Sequence, residues 1–145
     1  MENKDSCENR IISLIFTASR NLRQESRENE LDEAERLSMT QLETLKFIDE
    51  RKNPLMKDVA DYLFIAPPSI TPLIDGLETR KLVKRGSSKN DRRAILISLT
   101  DKGKDILEKT MNKKMKRMGD VFKKLTKEEQ KSLIRILEKL SAPKQ

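Results

Sequence analysis

The residues of this chain able to do chemistry are cations and short hydroxyls, not catalytic groups. Between positions 80 and 93 there are seven basic side chains and one acid, whereas positions 1–35 hold nine acids and five bases. A basic stripe so confined is the expected footprint of a face that meets phosphate. Its densest part is Ser87-Ser88-Lys89-Asn90-Asp91-Arg92-Arg93. A guanidinium such as that of Arg93, carried on a hairpin tip, can enter a narrow minor groove where the negative potential is enhanced. Lys89, Asn90 and Arg92 are placed to meet phosphates beside it, and Lys84, Arg85 and Lys57 are further candidates for phosphate contact. A solvated, Lys-rich loop is the plainer reading of the same residues. Upstream, Ser69 and Thr71 offer hydroxyls that reach phosphates or base edges, and a threonine methyl can touch that of thymine. Pro68 completes this group, although Pro67 and Pro68 together also shape a helix start.

The pattern around these residues predicts the elements that hold them. Met56, Val59, Ala60 and Leu63 recur at helical spacing, as do Ile70, Leu73, Ile74 and Leu77. Phe64-Ile65-Ala66 breaks the two patterns, and Pro67-Pro68 opens the second. Two helices so closely joined have the helix-turn-helix spacing, whose second helix lies in a DNA major groove. Leu82–Gly86 and Ala94–Thr100 are β-prone and flank the basic turn, which makes them a candidate wing. Thr40 with Glu43 forms an S/T-x-x-E start for a preceding helix that reaches Arg51, and Thr126 with Glu129 forms another for the last helix, which stops before Pro143. Thr100 caps a long helix over 101–125. The expected layout is α-α-α-α-β-β-α-α: a mainly α winged helix-turn-helix.

The outer helices raise a question of burial. A first helix over 6–28 carries Ile11, Ile15 and Leu22, and the last carries Leu133, Leu137 and Leu140. Burying each such side chain is worth about 1.5–3 kcal/mol. A winged-helix core over 40–100 leaves the helices of 6–28 and 101–141 without an obvious layer to cover them. Packing against the same helices of a second copy satisfies them and presents two recognition helices to a palindromic site. The whole of 1–145 is read as one domain.

Composition narrows the function classes. The chain has 145 residues, a formal net charge of +7, no histidine and one cysteine, Cys7. Without histidine the commonest general base and metal ligand is missing. No glycine loop cradles phosphate and no base adjoins Cys7, so neither catalysis nor a cofactor or metal is expected. A lone cysteine excludes an internal disulfide framework and fits a reducing compartment. With no 18-residue apolar run and no apolar signal-peptide centre, the expected location is cytoplasmic, without membrane contact.

Four motifs resemble the MarR (multiple-antibiotic-resistance regulator) family: Met39-Thr40-Gln41-Leu42; Val59-Ala60-Asp61-Tyr62-Leu63; Ser69-Ile70-Thr71-Pro72-Leu73-Ile74-Asp75-Gly76-Leu77-Glu78; and Asp91-Arg92-Arg93 followed by Leu99-Thr100-Asp101-Lys102-Gly103. The resemblance spans nearly the whole chain. It implies a homodimer bound to a pseudo-palindromic operator on double-stranded DNA, usually a repressor released by a small ligand or oxidant. It also implies that Asp91 holds the wing arginine through an ion pair. The chain departs from the family at Pro72 and Gly76, where basic residues are common, and at Lys81, where glycine is usual. Cys7 lies about five residues before the position of the peroxide-sensing cysteine of some relatives, which argues against that switch. Met111 and Met115 belong to a stripe that reads either as core or as the wall of an adaptable ligand pocket. The leading expectation is a sequence-specific DNA-binding regulator. The alternative is a winged helix used for protein contact, without specific DNA binding.

Overall fold

The computed structural model describes residues 6–25 and 36–143. Its elements are α1 (Cys7–Glu25), α2 (Met39–Arg51), α3 (Met56–Leu63), α4 (Pro67–Thr79), β1 (Val83–Ser87), β2 (Ile95–Leu99), α5 (Asp101–Phe122) and α6 (Lys127–Ser141). This is the expected order of a mainly helical winged helix-turn-helix. The parts of the expected first helix and following loop that fall on 26–35 lie outside the described residues. The chain divides into two compact units, one of residues 31–112 and the other of 1–30 with 113–145. α5 gives its first half to one unit and its second half to the other.

In the unit of 31–112, apolar faces converge from every element. Leu45 and Ile48 of α2, Val59 of α3, and Ile74 and Leu77 of α4 are fully buried, together with Leu82, Val83 and Ile97. Ile106 and Leu107 of α5 join them, and Met111 packs at the margin. α2 starts one residue ahead of Thr40. Ser38 is the cap: its Oγ accepts the Gln41 N–H at 3.1 Å, and the Gln41 side chain accepts the Ser38 N–H at 2.9 Å. This reciprocal box displaces the one expected from Thr40 and Glu43. Thr40 instead lies inside the helix, where its carbonyl accepts the Thr44 hydroxyl at 2.7 Å.

The two helices of the candidate motif are closed by left-handed residues. Phe64 has φ 53°, and the N–H groups of Phe64 and Ile65 donate to the carbonyls of Asp61 and Ala60, each at 3.2 Å. That is a Schellman closure, normally built on glycine. α4 ends the same way. Lys81 has φ 60°, while Lys81 N–H donates to Glu78 at 2.8 Å and Leu82 N–H to Leu77 at 2.9 Å. Inside α4, Pro72 withholds the N–H that the Pro68 carbonyl would otherwise accept. The helix nevertheless runs unbroken to Thr79.

β1 and β2 pair antiparallel from Val83↔Leu99 to Ser87↔Ile95, so each strand begins one residue later than expected and β2 also ends one residue earlier. The segment before α3 also joins: Leu55 bridges Leu96, and Ile97 N–H donates to the Pro54 carbonyl at 2.9 Å. β2 is thereby held on both sides.

In the other unit, α6 begins with the expected capping box. Thr126 Oγ1 accepts the Glu129 N–H at 3.2 Å, and Glu129 accepts the Thr126 N–H at 2.8 Å. α5 ends at Phe122, three residues before the expected Leu125. The Gln130 amide there donates to the carbonyls of Phe122 and Leu125 at 3.0 and 3.1 Å, satisfying groups that a longer helix would have paired. The apolar side chains of α1 and α6 remain largely uncovered: Ile11, Ile15, Leu137 and Leu140 are all exposed, while Leu22 and Leu133 are half-buried.

Candidate nucleic-acid interface

Recognition helix and wing are both built within the unit of 31–112, and three joints fix them to each other. The first is polar. Arg85 on β1 extends its guanidinium to α4, reaching Asp75 at 2.5 Å and Glu78 at 2.9 Å. Its pKa is raised, first by the hydrogen bond to Asp75 and then by the negative charge of Glu78, with partial burial opposing. The second joint lies where the wing meets α5. Thr100 Oγ1 donates to the Lys81 carbonyl at 2.6 Å and accepts the Gly103 N–H at 3.0 Å, while Thr100 N–H donates to Leu82 at 3.1 Å. The third is a close approach: a Cβ at Gly103 would collide with the Leu82 carbonyl. These contacts give the Leu-Thr-x-x-Gly segment its physical meaning. Threonine is both the helix cap and the clamp on the end of α4, and only glycine allows the backbones so near.

The wing tip is a hydrogen-bonded turn. Ser88 N–H donates to Ala94 at 3.2 Å and Ala94 N–H to Asp91 at 3.1 Å. Asp91 Oδ1 accepts the Arg93 backbone N–H at 2.9 Å, and Ser88 Oγ accepts the Asn90 N–H at 3.3 Å. An ion pair from Asp91 to the wing arginine was expected; Asp91 bonds the backbone instead and shapes the loop as an Asx turn. The reason is proximity, since the N–H two residues on is reached without ordering a long side chain. Lys89, Asn90, Arg92 and Arg93 are all exposed at the tip.

Pro68, Ser69 and Thr71 are exposed at the start of α4, on the same unit as the wing. Lys84 is exposed on β1 and Lys57 in the first turn of α3. Arg85 differs from its expected role: its guanidinium is engaged by two carboxylates, which makes it a strut within the fold. Sequence reasoning missed Asp75 and Glu78 as its partners. Their three-residue spacing places them on one face of α4, but nothing local identifies a partner on β1. Met111 and Met115 separate, the first packed on the core and the second 64% exposed. Elsewhere on this unit, Tyr62 stacks on Phe47 with ring centroids 4.3 Å apart. Arg51 lies 5.6 Å over the Phe47 ring, and these side chains line an open groove with Asp58 and Asp61.

A helix-turn-helix braced to a cation-tipped β-ribbon defines the winged-helix class of DNA-binding domain. Residues 37–95 match the MarR family model. Over most of its length the chain is similar to the organic hydroperoxide resistance transcriptional regulator of Bacillus subtilis, with 27% identity covering 77% of each protein. It is also similar to a MepR-like protein solved with pseudoligands, at 31% identity, TM-score 0.63, and coverage of 91% of this chain and 92% of that one. A third similarity, at 20% identity and TM-score 0.75, covers 96% of this chain and 94% of the transcriptional repressor CouR, solved on a 23-mer DNA duplex. The chain belongs to the MarR family of DNA-binding transcriptional regulators.

Proposed function

We propose that this protein is a homodimeric, sequence-specific repressor that binds a pseudo-palindromic operator in the cytoplasm and is released by a small-molecule effector. The observation that carries the DNA reading is the exposed cluster Lys89, Asn90, Arg92 and Arg93, held by a defined turn on the unit that presents α4. Phosphate contacts from the wing supply affinity and orientation, and side chains at the start of α4 select sequence. Arg93 enters the minor groove; Arg92, Lys89 and Asn90 flank it; Lys84 and Lys57 meet backbone.

Two copies are required because the apolar stripes of α1 and α6 are exposed in one. Ile11, Ile15, Leu22, Leu133, Leu137 and Leu140 form the proposed dimer contact, and the two α4 helices then fall about one DNA turn apart. The first helix with 101–141 serves dimerisation, and 40–100 serves DNA. An effector acts through unequal affinity for the DNA-competent and incompetent dimers, and Met115, exposed and adaptable, is the side chain proposed to meet it. The pseudoligands of the similar MepR-like protein favour a small-molecule effector. Among the described residues no helix is long and apolar enough to cross a membrane.

The test is a mobility-shift titration of purified protein against duplex DNA over a range of salt. Counterion release makes log affinity fall linearly with log salt, by about 0.9 per phosphate neutralised. A flat response removes the wing from the contact. Failure to retain any duplex favours the rival reading, a winged helix that meets an acidic protein partner.

A further inference from the structure

The recognition helix lacks the side chains that make strong bidentate base contacts. In the major groove Arg or Lys reads guanine, Asn or Gln reads adenine, and Asp or Glu accepts from cytosine. α4 holds no Lys, Arg, Asn or Gln, and its two acids, Asp75 and Glu78, are both bound to Arg85. Pro67 and Pro68 occupy the first two helical positions. They remove backbone N–H groups with which a helix start ordinarily grips phosphate. What this end offers is mostly apolar: Ala66, Pro67, Pro68 and Pro72 are exposed, with the hydroxyl side chains of Ser69 and Thr71 among them.

Phe64 lies in the turn just before this helix start. The residue is 96% exposed and its backbone is left-handed, with φ 53°. A bulky residue is disfavoured there twice, by Cβ crowding and by an aromatic face left in water. Strain held at an exposed position beside a binding surface points to a partner for that side chain. Among base edges in the major groove, the apolar group is the C5-methyl of thymine.

We propose that Phe64, Pro68, Thr71 and Pro72 form an apolar reader of thymine methyl groups, so that the operator half-site is rich in T·A pairs at the positions facing α4. This rests on the DNA reading above and adds the class of sequence selected. The wing is compatible with such a site, because A-tracts narrow the minor groove and strengthen its pull on arginine.

The experiment starts with selection of bound fragments from a random duplex library by the full-length protein. Each thymine of the selected half-site is then replaced by deoxyuridine, which keeps the pairing and the O4 acceptor and removes only the methyl. Loss of one contacted methyl weakens binding about fourfold, the equivalent of returning one methyl-sized group to water. Phe64→Gly relieves the left-handed strain, so it melts at a higher temperature than wild type while binding the thymine site less tightly. In that variant the deoxyuridine penalty vanishes at one position. Arg93→Ala lowers affinity for thymine and deoxyuridine sites alike. Methyl reading is overturned, with DNA binding intact, if deoxyuridine sites bind as tightly as thymine sites or if the selected positions are G·C. An unchanged penalty in Phe64→Gly removes Phe64 from the reader. If no duplex is retained, this proposal and the DNA reading fall together.

Discussion

At the scale of single residues, the informative positions are those where backbone geometry and side-chain type disagree. Lys81 occupies a left-handed position in the Schellman closure of α4. A residue with a Cβ costs roughly 1–2 kcal/mol there, part of which glycine recovers against its larger unfolded-state entropy. Lys81→Gly should therefore raise stability by about 0.5–1 kcal/mol, read as a higher denaturant midpoint at unchanged slope. An unchanged or lower midpoint would show that the lysine is not strained. Arg93 presents the opposite case, an exposed side chain with no packing role. Arg93→Ala is expected to weaken operator binding by about 1–3 kcal/mol while leaving thermal unfolding in place. Wild-type affinity in the folded variant would remove it from the interface. Arg93 was legible in the sequence because charge clustering needs no tertiary information. Phe64 was not, because the sequence showed a turn without showing that the ring stays in water.

At the scale of elements, function depends on the angle between α4 and the wing. Arg85 sets it by joining β1 to two carboxylates on α4. The pairs are partly exposed, so their direct contribution to stability is modest, about 1 kcal/mol. Arg85→Met is expected to lower stability by about that amount and to weaken specific DNA binding by a larger factor than non-specific binding, since wing and helix no longer share one register. Equal loss on both DNAs would make Arg85 a phosphate contact after all. The capping of α2 shows how local signals compete at this scale. Both Ser38-x-x-Gln41 and Thr40-x-x-Glu43 fit the capping pattern. Ser38 is the one that caps, and Thr40, once inside the helix, exchanges its capping role for a bond with Thr44.

At the scale of the whole molecule, one unit has a dense core and the other presents apolar side chains to solvent. α6 is capped and amphipathic, yet none of its described side chains is buried. If a second copy covers them, stability depends on protein concentration. The melting temperature should rise with protein concentration, and Leu137→Asp should abolish that dependence and shift the protein to monomer in sedimentation. Concentration-independent melting of a wild-type monomer would sink the dimer. DNA affinity of the Leu137→Asp variant should also drop sharply, because paired half-sites then bind without mutual reinforcement.

The order of elements, the helix-turn-helix spacing and the basic wing are legible in the chain before it folds, because helical periodicity, strand propensity and charge clustering are local properties. Resemblance in four short motifs then indicated the family. Only packing placed Arg85 against two carboxylates of α4, turned Asp91 to the wing backbone, and set the Pro54–Leu55 segment along the edge of the sheet. It also decided that the methionine stripe divides, with Met111 on the core and Met115 in solvent. The Arg85 and Pro54 bonds depend on which distant group comes within about 3 Å of a polar atom, and the methionine division on which side chains the core covers. Spacing along a chain cannot specify that distance; only packing can.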